Sequence, residues 1–165
     1  MRRILQGAAA SVLALVAVIG LTACAASSSG SRHTLYDGIE SIAADSSDII
    51  IGTVRSQGGD GDATVATVEV ENTPTSPQLG SNLDVDTGTI EVGDLIEVRQ
   101  QTDDTLSTGS QYLLYVTPTM LPGDAAGQYS VTGAVAGIYV RDGDEFRRVV
   151  TDSGDTLPET ISLSD

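Results

Sequence analysis

The sequence predicts a mainly β fold: a small antiparallel barrel, closed or nearly so, or failing that a sandwich, with one short helix on its N-terminal side. Three observations point there. Short β-branched runs separated by Gly, Asp and Pro recur from Asp48 onward. Two of these runs alternate apolar and polar side chains, the period of a strand with one wet face. Helical spacing occurs once, ahead of the first run. A closed barrel is preferred because it leaves no open sheet edge along such runs.

The chain begins Met1-Arg2-Arg3 and then runs without charge from Ile4 to Leu21, the layout of an export signal. Its strongly apolar part, Ala8 to Leu21, spans about 14 residues, short of the ~20 that a membrane-spanning helix needs. The residues that follow, Leu21-Thr22-Ala23-Cys24, resemble the lipobox of bacterial lipoproteins. The resemblance implies a signal peptide over 1–23, a diacylglycerol on the Cys24 thiol, and attachment to the cell membrane on its extracytoplasmic face. Cys24 is the only cysteine, so an internal disulfide is excluded. Two readings compete: a secreted protein with a chance cysteine near its cleavage site, and twin-arginine export through Arg2-Arg3. Residues 24–33 are small and polar and read as a flexible tether. The β domain is placed at 34–150, with 151–165 as a frayed polar tail.

Leu35, Ile39 and Ile42 or Ala43 fall at the spacing of one helix face, with Thr34 as the expected cap and Gly38 as a weak point. "IIIGTVRS" reads as a buried strand in which Gly52 marks a bulge or a close backbone approach. "QGGDGD" is a hairpin turn. "ATVATVEVE" follows, with Ala66, Val68 and Val70 on one face and Thr67, Glu69 and Glu71 on the other. "NTPTSPQLGSNLDVDTG" is a long polar excursion. "GDLIEVRQQ" turns Ile96 and Val98 inward and Glu97 and Arg99 outward. In "SQYLLYVTP" the odd spacing of Tyr112 and Tyr115 predicts that one is buried and the other exposed. Asp-Gly in "VRDGDEF" marks a last hairpin between "GIYV" and "FRRVV". The total is six or seven strands.

The runs "SDIIIGTV", "ATVEVE", "GDLIEVRQ", "LSTGSQYLLYV" and "GAVAGIYVRDG" together resemble small bacterial secreted or lipid-anchored OB-like domains, the barrel type that includes the netrin/tissue-inhibitor modules. The carriers are Ile49 to Val54, Gly93 to Val98, Gly109 to Val116 and Gly137 to Val140, within residues 35–143. The resemblance implies an extracytoplasmic OB-like domain. It does not extend to metalloprotease inhibition through a free N-terminal cysteine, since Cys24 is expected to be acylated.

Composition narrows the chemistry. The formal charge is −15, and lysine is absent, which disfavours nucleic acid, a partner bound through Lys and Arg. His33 is the only histidine and sits in the expected tether, so Ser-His and Cys-His catalysis are excluded. No enzyme activity and no cofactor are expected. Asp60 and Asp62, Asp84 and Asp86, and Asp142, Asp144 and Glu145 are candidate Ca²⁺ ligands, although Asp and Gly are also ordinary turn residues. Tyr139, alternating with Ile138 and Val140 beside Arg141, is the candidate contact surface. The expected function is a lipid-anchored extracytoplasmic binding or accessory domain with an envelope protein as partner. The alternative is a small-ligand or Ca²⁺-binding envelope lipoprotein.

Overall fold

The computed structural model describes residues 34–74, 79, 88–101 and 105–164. Cys24, the tether, Asp84 and Asp86 lie outside the described residues. The elements are α1 (Ile39–Ala44), β1 (Asp48–Asp60), β2 (Ala63–Asn72), β3 (Leu95–Gln100), β4 (Gln111–Pro118), a 3₁₀ turn (Gly123–Gly127), β5 (Tyr129–Val131), β6 (Ile138–Asp142), β7 (Glu145–Arg148) and β8 (Thr160–Ser162). The fold is mainly β, with one short N-terminal helix, as expected.

Five strands close into a barrel in the order β1-β2-β3-β5-β4, with β4 pairing back onto β1. This is the closure expected of an OB-like barrel. It is mixed rather than wholly antiparallel: Val98 and Arg99 of β3 pair in parallel with Tyr129 and Ser130 of β5. An odd-membered ring cannot alternate strand direction all the way round, so one pairing must be parallel.

The strands beyond the barrel leave from one edge of β4. That edge pairs with β5 at Val116 to Pro118 and with β6 at Tyr112 to Leu114. Between β5 and β6 the chain turns through Gly133 and Ala134, both at positive φ (67° and 62°). The Asp-Gly hairpin then joins β6 to β7 as the sequence predicts, and β8 pairs outside β7. β8 lies in the segment expected to be a frayed tail. Leu157 and Ile161 are buried there, and burial of these two side chains is what holds the segment on the domain.

Two apolar cores result. The barrel interior holds Ile50, Val54, Val68, Val98, Tyr112, Leu114 and Val116 among others. A second core lies on the outside of the β1–β4 wall, where Ile49, Ile51, Leu113 and Tyr115 meet Tyr36, Ile42 and Ala43 from the helix end and Tyr139, Phe146, Leu157 and Ile161 from the flap formed by β6, β7, β8 and the segment leading into β8. Successive residues of a strand point to opposite faces, so β1 and β4 supply both cores at once. That is why their sequences are continuously apolar.

The helix is shorter than predicted, and Gly38 rather than Thr34 stands at its N-cap, with no side-chain cap bond. Leu35 is exposed, and Tyr36 is the residue buried before the helix. Gly52 sits at a register shift between β1 and β2. A Cβ there would come within 2.5 Å of the Glu69 carbonyl oxygen and 2.6 Å of Val68 Cγ1, the close approach that its place in the run implied.

Candidate functional site

The two sides of the barrel are covered differently. The β1–β4 wall is buried under the second core, whereas the outer face of β2 and β3 carries no further layer among the described residues. On that face the cross-strand neighbours are Val65 and Arg99, Thr67 and Glu97, and Glu69 and Leu95. Alternation places these side chains outward for the same reason that it places Val68 and Val98 inside.

The face is a grid of charged and amide groups. Arg55 pairs with Glu69 at 2.5 Å. Glu71 accepts hydrogen bonds from Thr53 Oγ1 at 2.5 Å and from Gln111 Nε2. Arg99 donates to the Asp60 carboxylate, to the Asp60 carbonyl oxygen at 3.2 Å and to Gln128 Oε1 at 3.3 Å. Gln128, itself buried, donates in turn to Glu97 at 3.0 Å. Arg99 therefore ties the tip of the β1–β2 hairpin to the end of the loop joining β4 to β5. Apolar groups flank the grid: Val92 and Leu95 before and at the start of β3, and Met120 and Leu121 in the β4–β5 segment, all exposed. Met120 adopts φ 57°, a left-handed conformation uncommon for its residue type.

The sequence-derived candidates lie elsewhere. Tyr139 does face away from Ile138 and Val140, but its side of β6 is the second core rather than solvent, and Tyr139 is fully buried. It is therefore not a contact surface. The expectation failed because β6, like β4, is covered on both faces at this point. Arg141 is exposed on the same hairpin, with its guanidinium carbon 5.0 Å from the Phe146 ring centroid and its Nε donating to Gly143 O at 2.6 Å.

The acidic turn does not assemble as a cluster. Asp142 lies 3.3 Å from Arg147, and Glu145 accepts from Ser162 Oγ at 2.9 Å. Asp60 is engaged by Arg99. Among the described residues no three His, Cys, Asp or Glu side chains group as they would around a metal ion. Among the same residues no helix is long and apolar enough to cross a membrane.

Both Tyr112 and Tyr115 are buried, contrary to the prediction of one inside and one outside. Tyr112 points into the barrel, where its hydroxyl accepts from Ser107 N at 2.8 Å, and Tyr115 points into the second core. The Tyr115 ring lies 6.3 Å from that of Tyr139. Burial raises the pKa of the Tyr115 hydroxyl, which has no hydrogen-bond partner among the described residues. Tyr139 is pushed up to about 12, chiefly by burial and partly offset by Arg148. Tyr36 is also raised to about 12, by burial and by Asp45, whose carboxylate accepts its hydroxyl at 3.2 Å. These phenols stay neutral at ordinary pH and act as packing groups.

Two features that sequence reasoning missed hold the flap in place. Arg148, buried, donates to Thr151 O at 2.8 Å and Leu157 O at 3.1 Å. Asp155, also buried, accepts from Tyr36 N at 2.7 Å. Neither belongs to a motif, and the partners are set by tertiary structure alone.

No protein-family model and no curated protein matches the chain.

Proposed function

We propose that this chain is a non-enzymatic extracytoplasmic binding or accessory domain, held to the cell membrane by a lipid on Cys24, which engages an envelope protein through the open β2–β3 wall. The observation that carries the reading is the uneven cover of the barrel. One wall lies beneath a complete second core, while the other presents an ordered polar grid flanked by exposed Leu95, Val92, Met120 and Leu121. In five-stranded barrels of this kind the face of the second and third strands, with its neighbouring loops, is a common place for ligands. The acidic composition makes nucleic acid an unsuitable partner here.

Crosslinking from the β2–β3 wall in intact cell envelope tests the binding half of the reading. A discrete protein adduct is expected for the native chain, and it is lost on combining Leu95→Asp with Glu97→Lys, both at exposed positions. An adduct unaffected by the double substitution counts against the wall as the site. A rise in Tm with Ca²⁺ or a small metabolite, without any adduct, would instead favour a ligand-binding lipoprotein. The anchor is tested separately: Cys24→Ser is expected to release or mislocalise the chain, and retention in the membrane fraction with the signal peptide removed would refute the lipid attachment.

A further inference from the structure

β1 is paired on both edges over only part of its length. From Asp48 to Ile50 it pairs with β4 alone, from Ile51 to Thr53 it lies between β4 and β2, and from Ser56 to Asp60 it pairs with β2 alone. The ladder to the β4 side ends at Val54, whose N–H donates to Ser110 O at 3.0 Å and whose carbonyl accepts from Gly109 N at 2.8 Å. A register shift between Val54 and Ser56 follows. Beyond it no described strand occupies that edge, and the contact there is a side-chain one, Gln57 Nε2 donating to Leu106 O at 2.6 Å.

The hairpin closes through the two residues Gly61 and Asp62, with Asp60 opposite Ala63. In a two-residue hairpin that closing pair is the hydrogen-bonded one, so the alternation of an antiparallel ladder aims the backbone groups of Gln57 and Gly59 away from β2. Residues Arg55 to Asp60 are all exposed. Gly58 and Gly59 have no positive φ, and open space surrounds the place where a Cβ would stand. Nothing in Ser56 to Asp60 is a proline or a lysine, the residues that natural proteins use to block such edges.

Resting on the binding-domain reading above, we infer that the Ser56–Asp60 edge accepts an extended, Lys- or Arg-rich segment of a partner protein as an added strand. The backbone of Gln57 and Gly59 supplies the ladder hydrogen bonds. Charge selects the occupant. The hairpin end carries Asp62 beside Asp60, the latter paired with Arg99, and the chain as a whole is formally −15 with no lysine. A second copy would bring like charge to the edge, whereas a basic strand brings complementary charge.

The probe is a synthetic peptide of alternating valine and lysine, titrated into the full chain and followed by amide exchange and chemical shifts, with a valine–glutamate peptide as its counterpart. The lysine peptide is expected to bind and to protect the Gln57 and Gly59 amides, and the glutamate peptide is not. Gly59→Pro removes one outward N–H and is expected to weaken binding roughly tenfold or more, about what a lost ladder hydrogen bond gives. Gly59→Ala keeps that N–H and is expected to bind as the native chain does. An unchanged β1–β2 amide spectrum shows that each variant has folded. Equal binding by Gly59→Pro and Gly59→Ala overturns the inference. So does protection of Gln57 and Gly59 in the free monomer, or a dimer that protects them without peptide. If the peptide fails while the envelope adduct from the β2–β3 wall persists, the edge inference falls and the binding-domain reading stands.

Discussion

In β4 the side chains from Tyr112 to Val116 are buried without a break, whereas in β3 burial alternates, with Ile96 and Val98 inside and Leu95 and Glu97 in solvent. Both strands belong to one barrel and have the same pleat. They differ in the layer behind them. β4 has the helix end, the β6–β8 flap and the 155–161 segment packed on its outer face, and β3 has no such layer among the described residues. A strand's sequence therefore records how many layers cover it: an unbroken apolar run means two, and alternation means one. The open side is where a partner can be met without unfolding anything.

The largest expected effect tests this directly. Leu113→Ala, in the second core, should cost about 2–5 kcal/mol in urea unfolding, whereas Leu95→Ala should stay within about 0.5 kcal/mol of the native chain. Similar losses at both sites would mean that the β2–β3 wall is covered after all.

High pH should act on the covered side. Tyr36 and Tyr139 titrate near 12 when folded against 10.0 when unfolded, and Tyr115 is shifted in the same direction. The unfolded chain then loses these protons first. The stabilisation is complete below pH 10 and is lost as pH rises from 10 to 12. For fully buried Tyr139 that loss is on the order of 2–3 kcal/mol. Thermal melts across this window should fall steeply, and Tyr139→Phe should flatten its own share of the fall. An unchanged slope in that variant would assign the alkaline loss to other groups.

Two smaller effects separate the regions further. Tyr115→Phe removes a buried hydroxyl that has no hydrogen-bond partner among the described residues, so at pH 7 it should leave stability unchanged or raise it by up to ~1 kcal/mol. A clear loss would reveal a bond to that hydroxyl. Arg99→Ala, on the open side, should cost no more than ~1 kcal/mol, because the Asp60 side chain is 56% exposed. Its readout is faster amide exchange at the tip of the β1–β2 hairpin, and unchanged exchange would show that the hairpin holds itself.

The barrel was legible because its signals are local. The alternation in β2 and β3, Gly52 in its run and the Asp-Gly hairpin each follow from neighbouring residues. What covers a face is not local. Tyr139 was placed on the correct side of β6, yet whether that side met solvent depended on Tyr115 of β4 and Pro158, whose carbonyl accepts the Tyr139 hydroxyl at 3.2 Å. The 151–165 segment looked like a tail because Leu157 and Ile161 are isolated among polar residues, and only docking on Phe146 and its neighbours gives them a role. Arg99 and Asp60 stand 39 residues apart, a separation over which no spacing rule applies. The acidic turn at Asp142, Asp144 and Glu145 was readable as a turn, and the Asp142 and Glu145 side chains make strand contacts, to Arg147 and to Ser162.

The clasp between Tyr36 and the 155–156 segment joins residues 119 positions apart, with Thr156 N returning a bond to Tyr36 O at 2.9 Å. A chain that emerges from its N-terminus onward can close the barrel once β5 is out, but it must wait for Leu157 and Ile161 before the second core is sealed. The outer core is thus sealed by a contact of long sequence separation, the kind whose loop-closure cost slows folding. A chain stopped short of residue 155 would lack Leu157 and Ile161 and leave apolar surface of the second core uncovered.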